Sequence, residues 1–418
     1  MHMHASETAL KAWSRRGFMK GALAAGTAGI ALSMSDRMAM ATQLITGGRP
    51  TIEAIRGVGV QPGLVRMSLN ENPLGPSPRA IEAMANRMFG VNRYGTDLRD
   101  LMQALSTFDG VELPEPDNSM RRSFFRPPPG PFMLTPGSSL ILDLLCLAYL
   151  SRNGGEVIEA EYGYGSISRS ASDYSDMFGV DVNIIRAPMT PEYKHDLDAM
   201  AALASDRTSL VVITNPNNPT GTLLQPEEIE AFINKLPSTA IVVIDEAYLH
   251  FVEQDPIPSA VPLAVKYDNV AVVRTFSKAY ALAAVRLGYC VASQKIQDEM
   301  RKYYQESPNA LATVAGAAAV RDLEHLQKSR EAVWDFKKRC YATFEEMGIE
   351  YLPSQGTFVM ADIKRPAMQV VREMRARNVW ISSRRQREFR NWIRVSAGTE
   401  AETEVFLQTL KDVLAKSS

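Results

Sequence analysis

The chain is poor in the features that bring proteins to metals, nucleic acids or charged membranes. Only three of its 418 residues are cysteine, and Cys146, Cys290 and Cys340 lie in apolar or helical contexts without the spacing of metal ligands. The 46 basic and 47 acidic residues give a formal net charge of -1, so no excess of one sign attracts nucleic acid or an anionic membrane. No internal repeat or low-complexity domain is evident. We therefore expect no metal site and no nucleic-acid partner, and a small molecule is the default ligand.

A long apolar run is also missing, yet the N-terminus has a pattern of its own. Arg15 and Arg16 precede an Ala/Gly-rich stretch at 21–34, which is shorter than the roughly 20 strongly apolar residues of a spanning helix. Small residues at 39–41 suit cleavage. Residues 1–41 resemble a twin-arginine signal peptide, which predicts the twin-arginine export machinery as a partner and a periplasmic location. A disordered basic N-terminus is the alternative, and the protein would then be cytoplasmic.

The chain length and the positions of proline and glycine predict an arm followed by two domains. The 45% hydrophobic and 22% charged content is that of a globular protein, and 418 residues exceed one small domain. Three prolines and a glycine between residues 68 and 78 preclude a regular helix there. We expect an arm at 42–79 that joins the small domain, a large domain at 80–318 and a small α+β domain at 319–418.

The apolar pattern of the large domain predicts its architecture. Continuous apolar runs at 210–213, 241–244 and 270–273 are separated by helical stretches. Such runs favour an α/β fold with a mostly parallel sheet covered by helices on both faces. Ligands of these sheets bind beyond the carboxyl ends of the strands. An irregular, proline-rich stretch at 113–131 reads as a loop insertion.

Polar side chains follow each of these three strands. Asn218, Asp245 with Tyr248, and Lys278 are each unremarkable alone, since turns and strand ends are often polar. Together they supply what pyridoxal 5'-phosphate (PLP) requires. The lysine amine can form a Schiff base with the aldehyde, and a carboxylate keeps the pyridine nitrogen protonated. Asn218 and Tyr248 can donate hydrogen bonds to the phenolate oxygen.

A phosphate site and a proton carrier complete the pattern. Ser138 and Ser139 precede an apolar helical run, and a helix N-terminus is a favourable anion site. Ser277 and Arg286 would add donors. Lys278 is the candidate general acid and base, which requires burial and nearby cations to lower its pKa from the ~10.4 of a free lysine.

From about Ser68 to its C-terminus the chain resembles fold-type I, class I and II PLP-dependent aminotransferases, and among them the histidinol-phosphate aminotransferases. The resemblance rests on residues 69–73, 215–221, 245–248, 274–278 with Arg286, and 394–399. It implies a seven-stranded sheet with a smaller α+β domain, PLP as cofactor, and a homodimer with a shared active site.

The resemblance also assigns individual residues. It implies that Tyr162 stacks on the cofactor ring, that Tyr94 reaches the cofactor phosphate of the partner subunit, and that Arg394 and Asn72 bind substrate. An aromatic face covers a planar ring, and a guanidinium grips a carboxylate with two hydrogen bonds. The tyrosines could instead be packing residues and Arg394 a surface charge.

One departure from the family concerns the substrate. Ser382 stands where histidinol-phosphate enzymes carry a second arginine, with Arg384 and Arg385 just beyond. We predict transfer of an amino group between an amino acid and a 2-oxo acid, through the Lys278 Schiff base and pyridoxamine phosphate, and leave the substrate open. The alternatives are another PLP-dependent reaction, by a decarboxylase, racemase or oxidase, or a binding protein that keeps the fold without catalysis.

Overall fold

The computed structural model describes residues 52 and 55 and the segments 57–95, 98–115, 130–304 and 306–415. The predicted signal peptide at 1–41 and residues 116–129 of the predicted insertion lie outside them. The strands of the described segments are β1 (Val65–Arg66), β2 (Phe132–Thr135), β3 (Gly155–Ala160), β4 (Val182–Ala187), β5 (Thr208–Thr214), β6 (Ile241–Asp245), β7 (Val270–Thr275), β8 (Gly288–Ala292), β9 (Glu350–Leu352), β10 (Phe358–Asp362), β11 (Val379–Trp380), β12 (Ser382–Ser383) and β13 (Trp392–Ser396).

Helices alternate with these strands through most of the chain. They are α1 (Pro78–Met88), α2 (Leu98–Asp109), α3 (Ser138–Leu150), α4 (Ser166–Phe178), α5 (Leu197–Ala202), α6 (Pro226–Ile233), α7 (Val261–Lys266), α8 (Gln294–Arg301), α9 (Ala310–Arg321), α10 (Leu323–Glu346), α11 (Ala367–Arg375) and α12 (Glu400–Ala415). None of these described helices is both long and apolar enough to cross a membrane.

The central sheet has seven strands in the order β2-β8-β7-β6-β5-β3-β4. Neighbours from β7 to β4 pair in parallel, whereas β8 runs antiparallel to both β7 and β2. The predicted α/β fold with a mostly parallel seven-stranded sheet is therefore confirmed, with β8 as the reversed strand. The three predicted apolar runs lie within β5, β6 and β7.

A hydrophobic core lies on each face of this sheet. In β5, Val211 and Ile213 belong to one core and Leu210 and Val212 to the other, as the alternation of side chains along a strand requires. All four are buried, since helices cover both faces. Fully burying one such aliphatic side chain is worth about 1.5–3 kcal/mol, which explains why these strands read as continuous apolar runs.

Local caps fix where the helices begin. The Ser77 hydroxyl accepts a hydrogen bond from the Arg79 N–H at the start of α1, and proline occupies the first helical position. The carboxylate of Asp322 accepts from the His325 N–H at the start of α10. By contrast, α3 begins after Gly137, which offers no side-chain cap, so its first N–H groups stay available to a ligand.

The arm pairs with one strand of the C-terminal part, which also forms a separate four-stranded sheet. Its four strands are antiparallel in the order β12-β13-β10-β9. The arm contributes β1, which pairs in parallel with β11, and the Ser396 N–H donates to the Met67 carbonyl. This pairing brings the arm to the C-terminal unit, while the domain limits given above remain predictions.

Candidate active site

A cavity of about 590 Å³ opens at the carboxyl ends of β5, β6 and β7. Nine of the residues predicted from sequence line it: Ser138, Ser139, Asn218, Asp245, Tyr248, Ser277, Lys278, Arg286 and Arg394. Three others, Tyr162, Asn72 and Tyr94, are not among its lining residues. The parallel sheet thus brings together side chains that are far apart in the sequence.

The Lys278 amine lies in this cavity. Its Nζ donates to the Leu69 carbonyl oxygen at 3.2 Å and sits 5.7 Å from the ring centroid of Tyr248. Burial lowers the pKa of Lys278 to about 8, against the opposing influence of Glu71 and Asp245. At neutral pH a larger fraction of this amine is therefore uncharged, and able to act as a nucleophile or base, than in a free lysine.

Asp245 ends β6 and is buried beside Lys278. Burial raises the pKa of Asp245 to about 6, although the Ala247 N–H donates to its Oδ1 at 3.1 Å and Lys278 acts in the opposite direction. Asp245 forms no ion pair with another described residue. A buried carboxylate without a cationic partner is well matched to a cationic ring nitrogen.

Asn218 is held by groups on both sides of its amide. Its Oδ1 accepts from Arg394 Nη1 at 2.9 Å and from Arg384 Nη2 at 3.3 Å, while its Nδ2 lies 3.5 Å from the Tyr248 hydroxyl. Asn70 Nδ2 donates to the same hydroxyl at 2.9 Å. Burial raises the pKa of Tyr248, so this hydroxyl keeps its proton and can donate it to a ligand oxygen.

The opposite end of the cavity suits a phosphate. Gly137 has φ 86°, and a Cβ added there would lie 2.0 Å from Arg286 Nη2. The guanidinium therefore sits directly against the uncapped start of α3. Together with the Ser277 hydroxyl, these groups form a cup of donors at the positive end of a helix, the environment that binds anions.

Tyr162 and Tyr164 occupy different surroundings. The Tyr162 ring packs against Phe389 at 4.9 Å and Tyr193 at 6.1 Å between centroids, whereas Tyr164 lines the cavity. Glu159 Oε1 accepts from the Gly165 N–H at 2.6 Å and fixes this loop. The stacking role of Tyr162 stays a prediction, and Tyr164 is a second candidate that the sequence did not single out.

Asn72 and Tyr94 also lie apart from the cavity lining. Asn72 Nδ2 donates to the Ala279 carbonyl and to the Ser329 hydroxyl, both at 2.9 Å, so its amide ties the arm to the segment after Lys278. Tyr94 is 89% exposed. The substrate role of Asn72 and the cross-subunit role of Tyr94 remain predictions.

One wall of the cavity holds arginines from the C-terminal unit. Arg394 is buried, and its Nη2 donates to the Ser68 carbonyl at 3.0 Å in addition to its bond with Asn218. Ser383, Arg384 and Arg385 also line this wall. From the sequence, Arg384 and Arg385 were candidates to replace the second arginine that the family carries at Ser382, but nothing in the local pattern says which way an irregular segment turns.

Comparison with known proteins agrees with this site. The family model described as aminotransferase class I and II matches residues 62–410. The histidinol-phosphate aminotransferase of Akkermansia muciniphila is 35% identical over 88% of this chain and 95% of its own length. Histidinol-phosphate aminotransferase 2 of Hydrogenovibrio crunogenus is 33% identical over 90% and 95%. The crystal structure of a putative histidinol-phosphate aminotransferase from Erwinia carotovora atroseptica superposes with a TM-score of 0.74 at 26% identity, covering 88% of this chain and 99% of the other.

The chain belongs to the class I and II aminotransferase family. Its cofactor is PLP, and the residues present fit that molecule. The donor cup around Arg286 matches the phosphate, Asp245 matches the ring nitrogen, and Asn218 and Tyr248 match the phenolic oxygen. The Lys278 amine matches the aldehyde. The protein is a PLP-dependent aminotransferase.

Proposed function

We propose that Lys278, Asp245, Asn218 and Arg394 carry the transfer of an amino group between an amino acid and a 2-oxo acid in this chain. The observation that carries the proposal is a half-buried lysine whose pKa is lowered to about 8, in the same cavity lining as the buried carboxylate of Asp245. When bound, the cofactor withdraws electrons from the bonds at the substrate α-carbon.

Lys278 moves the proton. Its uncharged amine can accept the proton of the substrate α-carbon and then return it as a general acid. A pKa near the working pH serves both directions, because the group is then neither fully protonated nor fully deprotonated. The hydrogen bond to the Leu69 carbonyl orients the amine.

Asp245 and Asn218 hold the ring of the cofactor. The pKa of Asp245 is about 6, so at a higher pH its carboxylate is ionised and favours a protonated ring nitrogen. Asn218 and Tyr248 donate toward the oxygen on the other side of the ring, and the amide of Asn218 is oriented by Arg394. Their orientation is therefore set before the ligand arrives.

Arg394 grips the substrate carboxylate. Two of its N–H groups are bonded to Asn218 and Ser68, whereas its Nε is buried without a partner among the described residues. Leaving a buried donor unpaired is costly, so a ligand oxygen at this point is stabilising. A carboxylate has the planar shape that a guanidinium recognises.

A half-reaction screen tests this function. Purified holoenzyme is mixed with single amino acids, and conversion of the cofactor to pyridoxamine phosphate is followed by absorption and mass spectrometry. We expect conversion by at least one amino acid together with release of its 2-oxo acid. Release of carbon dioxide, inversion of the α-carbon or consumption of oxygen without amino transfer would support the decarboxylase, racemase or oxidase alternative.

The named relatives make histidinol phosphate a candidate for the same screen. In this chain Ser382 is uncharged, and its hydroxyl donates to the Arg394 carbonyl at 3.0 Å. The cations of that segment on the cavity wall are Arg384 and Arg385. Histidinol phosphate is therefore tested beside amino acids rather than assumed.

We further propose a homodimer in which Tyr94 of one subunit reaches the cofactor phosphate of the other. Support comes from large apolar side chains exposed along α1 and the segment after it: Ile81, Met88, Phe89 and Val91 are each more than 40% exposed. Such a patch is typical of an interface. Mixing Tyr94→Phe and Lys278→Ala subunits should restore activity above either variant alone, and a failure to complement would contradict a shared site.

Export by the twin-arginine pathway, with a periplasmic location, is a separate proposal. It is supported by Arg15 and Arg16 ahead of the Ala/Gly-rich stretch. Changing both arginines to lysine should leave the protein in the cytoplasm. Unchanged fractionation of that variant would count against the proposal.

A further inference from the structure

Asn70 is a buried polar residue of the arm that the proposed chemistry does not use. Its side chain is 2% exposed, and it lines the cavity together with Tyr248, from which it is 178 positions away in the sequence. The carbonyl of its neighbour Leu69 accepts the hydrogen bond from Lys278 Nζ. The arm therefore meets the reacting groups of the cavity at this point.

Ser396 holds the amide of Asn70 in one orientation. The Asn70 backbone N–H donates to Ser396 Oγ at 2.8 Å, and the Ser396 hydroxyl donates back to Asn70 Oδ1 at 2.9 Å. Since Oδ1 is the accepting side of the amide, the Nδ2 donors point the other way. The backbone of Asn70 has φ 55°, a left-handed conformation that glycine and asparagine adopt more readily than other residues. The amide is thus oriented before any ligand arrives.

This orientation determines the role of the Tyr248 hydroxyl. Asn70 Nδ2 donates to its oxygen at 2.9 Å, and Asn218 Nδ2 approaches the same oxygen at 3.5 Å. The hydroxyl accepts in both of these contacts with described residues, so its own proton stays available for an acceptor in the cavity. Burial raises the pKa of Tyr248, and the hydrogen bond from Asn70 acts in the opposite direction. A hydroxyl that accepts a hydrogen bond is polarised and donates more strongly.

We propose that Asn70, held by Ser396, is a positioning residue that directs the proton of the Tyr248 hydroxyl onto the phenolic oxygen of the cofactor. The inference rests on the proposed function, because it concerns the same contact between Tyr248 and the ring. A chain of hydrogen bonds then runs from the C-terminal unit through the arm to the cofactor. Lys278 and Asp245 keep the roles given above.

The protonation of the bound cofactor gives a readout that is separate from turnover. A donor to the phenolic oxygen stabilises negative charge there, so it favours loss of the proton at the Lys278 Schiff-base nitrogen. The pH midpoint of the absorption change of the holoenzyme measures this balance. Asp245, Lys278, Arg384 and Tyr164 also act on Tyr248, and none of them is altered in the variants that follow.

Asn70→Gly is the first variant, because glycine removes the amide and tolerates the left-handed backbone. We expect the pH midpoint of the absorption change to rise by about 0.5 unit, since one neutral hydrogen bond to Tyr248 is lost. The same loss should lower kcat by about 3- to 10-fold, with little change in KM. Tyr248→Phe removes the donor itself and should raise the midpoint further, by about 1 unit.

The double variant distinguishes action through Tyr248 from a direct effect on the cofactor. If Asn70 acts through the Tyr248 hydroxyl, adding Asn70→Gly to Tyr248→Phe produces no further shift of the midpoint. An equal shift with and without the hydroxyl would overturn the inference, because the amide would then act on the cofactor without Tyr248.

Two further variants control for changes in the fold. Ser396→Ala keeps the Asn70 amide but removes the group that orients it, so we expect part of the same shift. Asn378→Gly is the matched control, because Asn378 is exposed, has φ 58° and lies outside the cavity lining. It should behave as wild type, and the melting temperature of each variant is measured beside its spectrum. If Asn70→Gly does not fold, Ser396→Ala with and without Tyr248→Phe carries the test.

The inference and the proposed function fail in different ways. If Asn70→Gly holds PLP with the midpoint of the wild type, the inference fails while the proposed function stands. If no amino acid converts the cofactor of the wild-type holoenzyme, the proposed function itself fails.

Discussion

The two ends of the active-site cavity are built in different ways. The cofactor end takes Asn218, Asp245 and Lys278 from the ends of neighbouring strands of one sheet, with the start of α3 beside them. The proposed substrate end takes Arg384 and Arg394 from the C-terminal unit, more than a hundred residues later. The cofactor end is thus fixed by the strand pattern, whereas the substrate end depends on how an irregular segment is placed against it. The two ends meet at Asn218, whose Oδ1 accepts hydrogen bonds from both arginines.

Removing the Lys278 amine should have the largest effect on activity and should alter only the cofactor end of the cavity. We expect Lys278→Ala to lower kcat by about 10⁴-fold or more, because both the covalent attachment and the general base are lost. The variant should still bind PLP noncovalently, measured by equilibrium dialysis, since the donor cup is intact. Lys295→Ala, an exposed lysine on α8, is the matched control and should retain activity. Near-normal turnover of Lys278→Ala would overturn the assignment.

Neutralising Asp245 should have a smaller effect. Asp245→Asn removes the charge that keeps the ring nitrogen protonated, and we expect kcat to fall by about 10³-fold. Asp245→Glu keeps the charge and should retain more activity. The exposed Asp268→Asn should change nothing. A similar loss in the Asn and Glu variants would indicate that shape rather than charge matters at this position.

The raised pKa of Asp245 predicts that the stability of the cofactor-free protein depends on pH. The folded pKa of Asp245 is raised from 3.8 to about 6, so the folded state binds more protons than the unfolded state between these values. The protonated Asp245 carboxyl therefore stabilises the folded state, and this contribution is lost as pH rises through the window. The loss in the free energy of unfolding amounts to about 3 kcal/mol above the window. Asp245→Asn should flatten this slope and raise the free energy of unfolding at pH 7. Urea unfolding from pH 4 to 7 measures how the free energy of unfolding depends on pH. The same dependence in the wild type and in Asp245→Asn would contradict the raised pKa of Asp245.

Substitutions of Tyr162 and Tyr164 should give the smallest of the expected effects. Tyr164→Leu should weaken PLP binding by up to about 10-fold, since an aromatic contact contributes about 0.5–1.5 kcal/mol. Tyr162→Leu should instead lower the melting temperature with little change in PLP affinity, because its ring packs in the Phe389 cluster. The opposite pattern would support the prediction that Tyr162 stacks on the cofactor ring.

Sequence patterns predicted the sheet and the cofactor end because both depend on local signals. Apolar runs predicted β5, β6 and β7, and parallel strands bring the residues after them to one edge. The reversal of β8 was not predicted, because a short apolar strand carries no mark of its direction.

Residues whose roles depend on loop geometry were harder to predict. Tyr162 and Tyr164 are two positions apart, and only the turn between them decides which ring faces the cavity. Asn70 lines the cavity whereas Asn72 does not, and both lie in the same motif of the arm. Nothing in the order of residues 382–386 shows that Arg384 would reach Asn218.

Borohydride reduction of the holoenzyme followed by peptide mass spectrometry tests the central claim most directly. Reduction fixes the cofactor to the amine that holds it. We predict a single modified peptide with the added mass on Lys278. Attachment to another lysine, or none in an active preparation that contains PLP, would contradict the active site described above.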